Sequence, residues 1–405
     1  LKNWRDFINY NKFKNLAEQV KENGQVLINK DDLLKLISTS INSESKNFKN
    51  KFKKLFNDKE EIFEKSTLKL EFENPTELID SNKKALVGKN TVFEGTVNEN
   101  GLQINFTTNG EFNLESNFFL KVVGDLISRL VFDEIFYDPI IITAERLGIS
   151  LFYKELDEKR NSLVDGLQKL DQADEDVDAF DILMSMSAYY ATPIRDHISF
   201  TRNFDAIKKL NSKLEVNYSL SIIKEMLGAE FKKDNKQDIR FFTPKKKINR
   251  FDIPLHLASS SARCVVDLYF YLKHLSKEGD LLIIDEPESH LTLKNQRLMA
   301  KLIASIVNLK IKVFITTHSD FLIKELNNLI LLNNDFKEKE NWLKNHKTIY
   351  NSKDKLNYEN VNVYQAKNGT VESLNISKIG IEIPFFDDEI SNIFRISNDL
   401  EYFID

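Results

Sequence analysis

The sequence predicts an α/β protein with a mostly parallel core sheet, an antiparallel β subdomain and a helical insertion. Three observations lead to this fold class. Short apolar runs alternate with helical patterns in residues 236–335, apolar and polar positions alternate between Asn-Gly turns in residues 67–115, and residues 151–235 are helical and polar. Strands that alternate with helices imply a parallel sheet, because parallel strands need crossover connections.

The composition shifts along the chain predict four regions in the 405 residues. We expect an N-terminal lobe at 1–150, a helical insertion at 151–235, a C-terminal lobe at 236–335 and a tail with a hairpin at 336–405. The two lobes would together form one α/β domain, with the insertion between them.

Local patterns predict the elements of each region. Residues 1–66 have helical spacing, and residues 67–115 are predicted as an antiparallel meander because turn signals separate their alternating segments. The apolar runs 139–143, 281–284 and 313–316 are typical of buried strands. Further expected elements are a strand at 239–242, a helix that begins at Ser259–Ser261 and a helix over 298–306.

Composition and charge restrict the class of protein. Lys and Arg number 57 and Asp and Glu 62, so the net charge of −5 gives no general basic field for nucleic acid. The single cysteine, Cys264, excludes an internal disulfide framework and a multi-cysteine zinc site, and it suits a reducing cytoplasm. No run of about 18 apolar residues occurs, so we expect a cytoplasmic protein without a membrane span, with Cys264 as a small buried side chain.

Two adjacent carboxylates, Asp285 and Glu286, follow the apolar run 281–284 directly. Open α/β sheets place their ligands at the carboxyl ends of their strands, which is where this pair is expected. In nucleotide hydrolysis the first carboxylate would hold Mg²⁺ and the second would act as the general base for the attacking water. The alternative interpretation is a strand that leads into an acidic turn.

Two more motifs have spacings that suit a nucleotide site. His318 follows the next predicted strand, 33 positions after Asp285, and an imidazole there would hydrogen-bond a γ-phosphate. Ser259, Ser260 and Ser261 open a helix 26 positions before Asp285, where hydroxyls and free N–H groups form an anion site. Taken alone, these serines would be interpreted as a plain N-cap.

Together, these motifs resemble those of a known family. Residues 257–261, 283–290 and 316–320 resemble the signature motif, the Walker B motif with its D-loop, and the H-loop of ABC-type ATPase heads, the group that contains SMC-like and RecF-like proteins. Within that group the chain is most similar to OLD-like ATPases of bacterial anti-phage systems, such as the PtuA proteins of Septu and retron loci. Residues 142–148, 190–196 and 380–387 support this likeness.

The resemblance implies ATP and Mg²⁺ as cofactors and assigns a role to each motif residue. Asp285 would help to hold the metal, Glu286 would be the catalytic base, and His318 would sense the γ-phosphate. Ser259 and Ser260 would contact the nucleotide of the opposite protomer. The remaining nucleotide-contacting candidates are Ser261, His290 of the D-loop, and Arg146, for which a salt bridge is the alternative. The family has a glycine after its signature serines, and Ser261 or Ala262 takes that place here.

No phosphate-binding loop of the form G-x-x-x-x-G-K-[ST] occurs in the 405 residues. Glycine contributes only 12 of them, about 3% against an average near 7%, and the nearest fragment, Gly88–Thr91, lacks the upstream glycine. We expect the P-loop of the N-terminal lobe to lie upstream of Leu1. A naturally degenerate nucleotide site is the alternative.

The resemblance also implies partners. We expect a homodimer or higher homo-oligomer through the ATPase heads, and a separate effector protein such as an HNH nuclease, since the chain itself has no nuclease motif. Lys245, Lys246 and Lys247 are candidates for contact with DNA or RNA phosphates, although such a loop is more often simply solvated. Alternative functions are an SMC- or RecF-like DNA repair ATPase and a catalytically inactive scaffold with the ABC fold.

Overall fold

The computed structural model of the chain describes residues 14–47, 52–56, 63, 66, 77–87, 91–108, 116–132, 139–152, 190–233, 239–243 and 250–404. The chain forms two compact units, Leu1–Pro139 with Phe180–Thr192 and Ile140–Ala179 with Pro193–Asp405. This division differs from the borders at 150, 235 and 335 that the sequence suggested, because helices of the expected insertion pack into the second unit.

The first unit is built on a four-stranded antiparallel sheet with the spatial order β1-β4-β3-β2. Its elements in chain order are α1 (Lys14–Asn23), β1 (Gln25–Asn29), α2 (Lys30–Asn47), α3 (Phe52–Phe56), β2 (Ser81–Val87), β3 (Thr91–Asn98), β4 (Gly101–Thr108) and α4 (Ser116–Phe132). Buried apolar side chains of the helices and the sheet, Val20, Leu33, Phe93 and Leu126 among them, form its core. Gly95 allows α4 to approach β3, since a Cβ there would lie 2.3 Å from Leu130 Cδ1.

The predicted antiparallel meander is present as β2, β3 and β4. The prediction that residues 1–66 are all helical is wrong at β1, which pairs antiparallel with β4 through Val26 and Ile104. Val26 and Ile28 are buried and their neighbours are exposed, so tertiary pairing gives this five-residue segment the period of a strand. The expected strand segments at 68–72 and 111–114 lie outside the described residues.

The second unit comprises Ile140–Ala179 and Pro193–Asp405, and its first strand is β5. Its elements in chain order are β5 (Ile140–Ile142), α5 (Thr192–Arg202), α6 (Phe204–Ile207), α7 (Asn217–Leu227), β6 (Glu230–Lys233), β7 (Ile239–Phe242), β8 (Asp252–Pro254), α8 (Ser260–Phe270), β9 (Leu281–Asp285), α9 (Leu293–Asn308), β10 (Lys312–Thr316), α10 (Asp320–Asn333), α11 (Lys339–Asn345), β11 (Tyr364–Lys367), β12 (Thr370–Ser373), β13 (Ile376–Ser377), β14 (Gly380–Ile381) and α12 (Pro384–Tyr402). Residues 146–152, after β5, are also helical.

A parallel sheet of β10, β9 and β5, in that order, carries the centre of this unit. Ile142, Leu282 and Ile284 are buried, and they pack in one core with side chains of α8, α9 and α10. The parallel strands predicted from the apolar runs at 139–143, 281–284 and 313–316 are therefore confirmed. With the antiparallel sheets of both units, the molecule has the mixed α/β fold that the sequence predicts.

The described part of the expected insertion belongs to the same core. Helices α5, α6 and α7 contribute Phe200, Phe204 and Ile223 to it, and the ring of Phe204 stacks on that of Phe270 in α8 at 4.5 Å. Residues 192–227 are therefore helical as expected, but their apolar side chains pack in the core of the second unit. The strand β6 follows these helices and forms an antiparallel sheet with β7 and β8.

The C-terminal region contains two small antiparallel pairs and a long helix. The expected hairpin corresponds to β11 and β12, and β13 pairs with β14. Helix α12 was not predicted from the sequence. None of the helices in the described parts of the chain combines the length and the apolar character that a membrane span needs.

Candidate functional site

The two parallel strands β9 and β10 end side by side at one edge of the sheet. Thr316, the last residue of β10, pairs in register with Asp285, the last residue of β9. Glu286 follows β9 directly, and His318 lies two residues beyond β10. The structure therefore brings together the carboxylate pair and the histidine that the sequence singled out.

Glu286 is held in an unusual backbone conformation, with a φ of 46° in the left-handed region. A non-glycine residue in this region costs about 1–3 kcal/mol and persists only when its surroundings fix it. Its N–H donates to both the carbonyl oxygen and Oγ1 of Thr316 at 3.1 Å, and its carbonyl oxygen accepts from Nη2 of Arg146 at 2.5 Å. The backbone on both sides of the Glu286 side chain is thus fixed by hydrogen bonds.

The carboxylate of Glu286 is also oriented by its neighbours. Its Oε2 accepts a hydrogen bond from Oγ of Ser289 at 2.8 Å, within the turn that follows β9. Its Oε1 lies 3.9 Å from Nε2 of His318, and 39% of the Glu286 side chain is exposed. One carboxylate oxygen is therefore engaged, while the other faces His318 beside solvent.

Glu288 is a functional candidate that the sequence interpretation did not select. Its Oε1 accepts from Oγ1 of Thr317 at 2.9 Å and from the backbone N–H of His318 at 2.7 Å. The His318 side chain is 86% exposed. Its position therefore depends on its backbone, which the hydrogen bond to Glu288 fixes. The only local signal was a third acid two positions after Glu286, which sequence alone does not separate from a solvated turn.

Asp285 offers an oxygen ligand at the same edge. Its Oδ1 accepts a hydrogen bond from Oγ1 of Thr316, which leaves the other oxygen of the carboxylate unengaged by that hydroxyl. Within the described residues, no group of three or more His, Cys, Asp and Glu side chains is arranged to hold a metal ion.

Arg146 is part of the support of the site. Its side chain is only 2% exposed, whereas the sequence interpretation placed it against nucleotide or a salt-bridge partner. Nη1 donates to the carbonyl oxygens of Asp285 at 2.7 Å and of Thr143 at 3.2 Å, in addition to the Nη2 contact with Glu286. The planar fork of five donors suits this bridging of backbone carbonyls. The structure therefore places Arg146 beneath the acidic pair, in the interior.

Cys264 lies near this arginine, on helix α8. Its side chain is buried, as predicted, at 4% exposure. Burial raises the pKa of the thiol, and the neighbouring Arg146 opposes that shift. A buried thiol of raised pKa is a poor nucleophile, so Cys264 has a packing role here.

Helix α8 begins in the serine segment, as predicted, and Ser259 is its N-cap. Oγ of Ser259 accepts from the backbone N–H of Ala262 at 3.3 Å, and Oγ of Ser261 donates to the carbonyl oxygen of His290 at 2.9 Å. His290, with a φ of 61°, lies in the turn that begins at Glu286. The N-terminus of α8 is therefore joined to the turn that carries the acidic pair, while the predicted basic contacts Lys245, Lys246 and Lys247 lie outside the described residues.

Comparisons with known proteins agree with a nucleotide-binding fold for this part of the chain. Residues 150–323 match the family model of the AAA ATPase domain, which spans less than half of the chain. No curated protein sequence matches the chain.

Two solved structures are similar to parts of the chain. One, described as "Structural biochemistry of ATP-driven dimerization and DNA stimulated activation of SMC ATPases", has 14% identity and a TM-score of 0.25, over 49% of this chain and 96% of that one. The other is an Smc head domain with an extended coiled coil bound to the C-terminal domain of ScpA from Pyrococcus furiosus, with 13% identity and a TM-score of 0.21, over 58% and 67%. The family match is what places the acidic pair, His318 and the serine segment in a region similar to AAA ATPase domains.

Proposed function

We propose that the protein binds ATP with Mg²⁺ and hydrolyses it to ADP and phosphate at the edge formed by β9 and β10. The observation that carries this proposal is the geometry of Glu286, whose backbone is fixed on both sides and whose carboxylate is oriented by Ser289 toward His318. The match of residues 150–323 to the AAA ATPase domain supports the same activity.

Each residue has a defined task in this proposal. Asp285 would hold Mg²⁺ through its carboxylate and a water molecule, and the metal would neutralise charge on the phosphates. Glu286 would accept the proton of the attacking water at Oε1, while Ser289 holds Oε2 in place. His318 would donate to the terminal phosphate, since its exposed ring lies beside Oε1 of Glu286.

The proposed assembly comes from the resemblance of the motifs to ABC-type heads. Ser259 and Ser260 of one protomer would contact the nucleotide of the other in a head-to-tail dimer, with the D-loop residue His290 close to the same interface. In the proposed cellular role, the dimer belongs to a cytoplasmic anti-phage complex and controls a separate effector such as a nuclease. The contact between Ser261 and His290 supports the proposed dimer interface, because it holds the serine segment and the D-loop residue side by side on one protomer.

The variant Glu286→Gln tests the activity. In the full-length protein we expect turnover to fall by about 10²-fold or more, because the amide cannot accept the proton of water. ATP binding and ATP-dependent dimerisation should persist, as measured by a fluorescent ATP analogue and by light scattering. The exposed residue Glu372, on β12, provides the matched control variant Glu372→Gln.

Turnover by Glu286→Gln at the parent rate would show that the mechanism is wrong. Failure of the parent protein to bind nucleotide would instead favour the inactive scaffold.

A further inference from the structure

A buried polar cluster lies in the core of the second unit, away from the exposed edge of the acidic pair. It consists of His197 and Thr201 on α5, Asp267 on α8 and Thr143 after β5. The side chains of His197 and Asp267 are both 0% exposed. Their mutual hydrogen bond, from Nε2 to Oδ2, is 3.1 Å long. A carboxylate buried this deeply requires hydrogen-bond donors around it.

The backbone determines which nitrogen of His197 carries the proton. The backbone N–H and Oγ1 of Thr143 both lie 3.1 Å from Nδ1 of His197. The backbone N–H can only donate, so Nδ1 accepts and Nε2 carries the hydrogen that is donated to Asp267. Oδ1 of Asp267 accepts from Oγ1 of Thr201 at 3.2 Å. Both carboxylate oxygens therefore have a donor, and the imidazole joins Asp267 to the backbone of Thr143.

The cluster continues to the acidic pair through Arg146. The carbonyl oxygen of Thr143 accepts from both the backbone N–H and Nη1 of Arg146 at 3.2 Å. The same guanidinium holds the carbonyl oxygens of Asp285 and Glu286. A continuous series of hydrogen bonds therefore runs from Asp267 through His197, Thr143 and Arg146 to the backbone of Glu286.

Helix α8 consequently reaches the acidic turn by two routes. Near its N-terminus, Ser261 donates to the carbonyl oxygen of His290, and in its C-terminal half Asp267 begins the buried series. A shift of α8 would therefore change the contacts that support both ends of the acidic turn, Glu286 and His290. A buried carboxylate and imidazole are expensive relative to an apolar pair of similar volume, so packing alone does not account for them.

We propose that His197 and Asp267 are positioning residues that couple helix α8 to the orientation of Glu286. This proposal rests on the proposed ATPase function and deepens it, since α8 begins with the serine segment assigned to the nucleotide of the opposite protomer. When that nucleotide displaces α8, the hydrogen bonds of His197 and Arg146 transmit the movement to the backbone of Glu286. Loss of the coupling should lower kcat and leave KM for ATP unchanged.

Two substitutions of His197 separate positioning from stability. His197→Gln places an amide nitrogen near Nε2 and keeps the donor to Asp267, but it loses the acceptor for Thr143. His197→Asn places an oxygen near Nδ1 and keeps that acceptor, but it leaves Asp267 short of a donor. We expect His197→Asn to have the lower urea midpoint and His197→Gln the lower kcat, by about tenfold.

The decisive result is that the less stable variant, His197→Asn, has the higher kcat of the two. A merely structural cluster would lose kcat in proportion to stability, and that outcome, or an unchanged kcat in His197→Gln, overturns the proposal. If His197→Asn does not fold, the double variant His197→Asn with Asp267→Asn replaces it. In that variant the carboxylate that lacks a donor is removed, and its kcat and urea midpoint are compared with those of His197→Gln. Asp267→Asn alone keeps an acceptor for His197 and should retain kcat within about threefold.

A second measurement does not depend on turnover. In protein labelled with [¹⁵N]histidine, the His197 signal, identified by its loss in His197→Gln, should show a hydrogen on Nε2 and none on Nδ1. A proton on Nδ1 would overturn the assignment of donors. Absence of ATP turnover in the parent protein would overturn the proposed function itself, whereas parent turnover with an unaffected His197→Gln would overturn only the positioning role.

Discussion

Nη2 of Arg146 donates a 2.5 Å hydrogen bond to the carbonyl oxygen of Glu286, a residue whose φ is 46°. The arginine is buried and forks between two consecutive carbonyl oxygens, those of Asp285 and Glu286. Left-handed backbone at a non-glycine residue needs such support. The pair therefore links a residue of the core to the conformation of the proposed catalytic base.

Substitution of Arg146 should consequently reduce both stability and turnover. Arg146→Met leaves the carbonyl oxygens of Asp285 and Glu286 without this donor, which we expect to lower the free energy of unfolding by about 2 kcal/mol. Arg146→Lys should not restore it, because an ammonium group cannot reproduce the planar fork. Urea unfolding and steady-state ATP hydrolysis provide the two measurements.

The matched control is Arg395→Met, at an exposed position of α12. A surface substitution of this kind should change the free energy of unfolding by less than about 0.5 kcal/mol. If Arg146→Lys matched the parent protein in both measurements, the bridging of the two carbonyl oxygens would not be what supports Glu286.

Glu288 should determine how well His318 is positioned. Glu288→Ala removes the acceptor of the Thr317 hydroxyl and of the His318 backbone N–H, so we expect kcat to fall by about tenfold. Hydrogen bonds to a charged acceptor are worth about 1.5–3 kcal/mol each, so stability should fall too. Glu288→Gln keeps an oxygen at the Oε1 position and should lose less of both.

Steady-state kinetics and urea unfolding of the two variants, with the exposed Glu372→Ala as control, check this prediction. Equal loss in Glu288→Gln and Glu288→Ala would mean that the charge of Glu288, and not its contacts to the turn after β10, is what matters.

The sequence was informative where a local pattern determines the structure. The run 281–284 is apolar and is followed by two acids, and the next strand is followed by His318, so parallel pairing alone brings Asp285, Glu286 and His318 to one edge. The N-cap of α8 was predictable in the same way, because a serine before an apolar helical pattern supplies an acceptor for the first turn.

The sequence was not informative where burial depends on distant residues. Arg146 and His197 are polar residues in mixed segments, and only the folded chain shows that one lies under Glu286 and the other against Asp267. The same limit explains why 192–227 was predicted as a polar insertion, although Phe200, Phe204 and Ile223 belong to the core. Long-range packing overrides local propensity in such segments.

Tyr271 provides a prediction about pH. Its side chain is fully buried, and its hydroxyl donates to Oδ2 of Asp280 at 3.0 Å. Burial, followed by the charge of Asp280 and this hydrogen bond, raises the pKa of Tyr271 above its ordinary value near 10. The folded protein therefore keeps this proton when the unfolded chain has lost it, so the stability from Tyr271 is complete below about pH 10 and declines above it.

Tyr271→Phe should show this dependence in the free energy of unfolding, measured with urea at about pH 8 and about pH 11. At the lower pH the variant should be less stable than the parent by about 1 kcal/mol, because one hydrogen bond is lost. Above about pH 10 the parent should lose about 1.4 kcal/mol more per pH unit than the variant, so the two values converge. Tyr364→Phe, at an exposed position, should give the parent curve, and a constant difference between Tyr271→Phe and the parent at both pH values would show that Tyr271 does not retain its proton in the folded state.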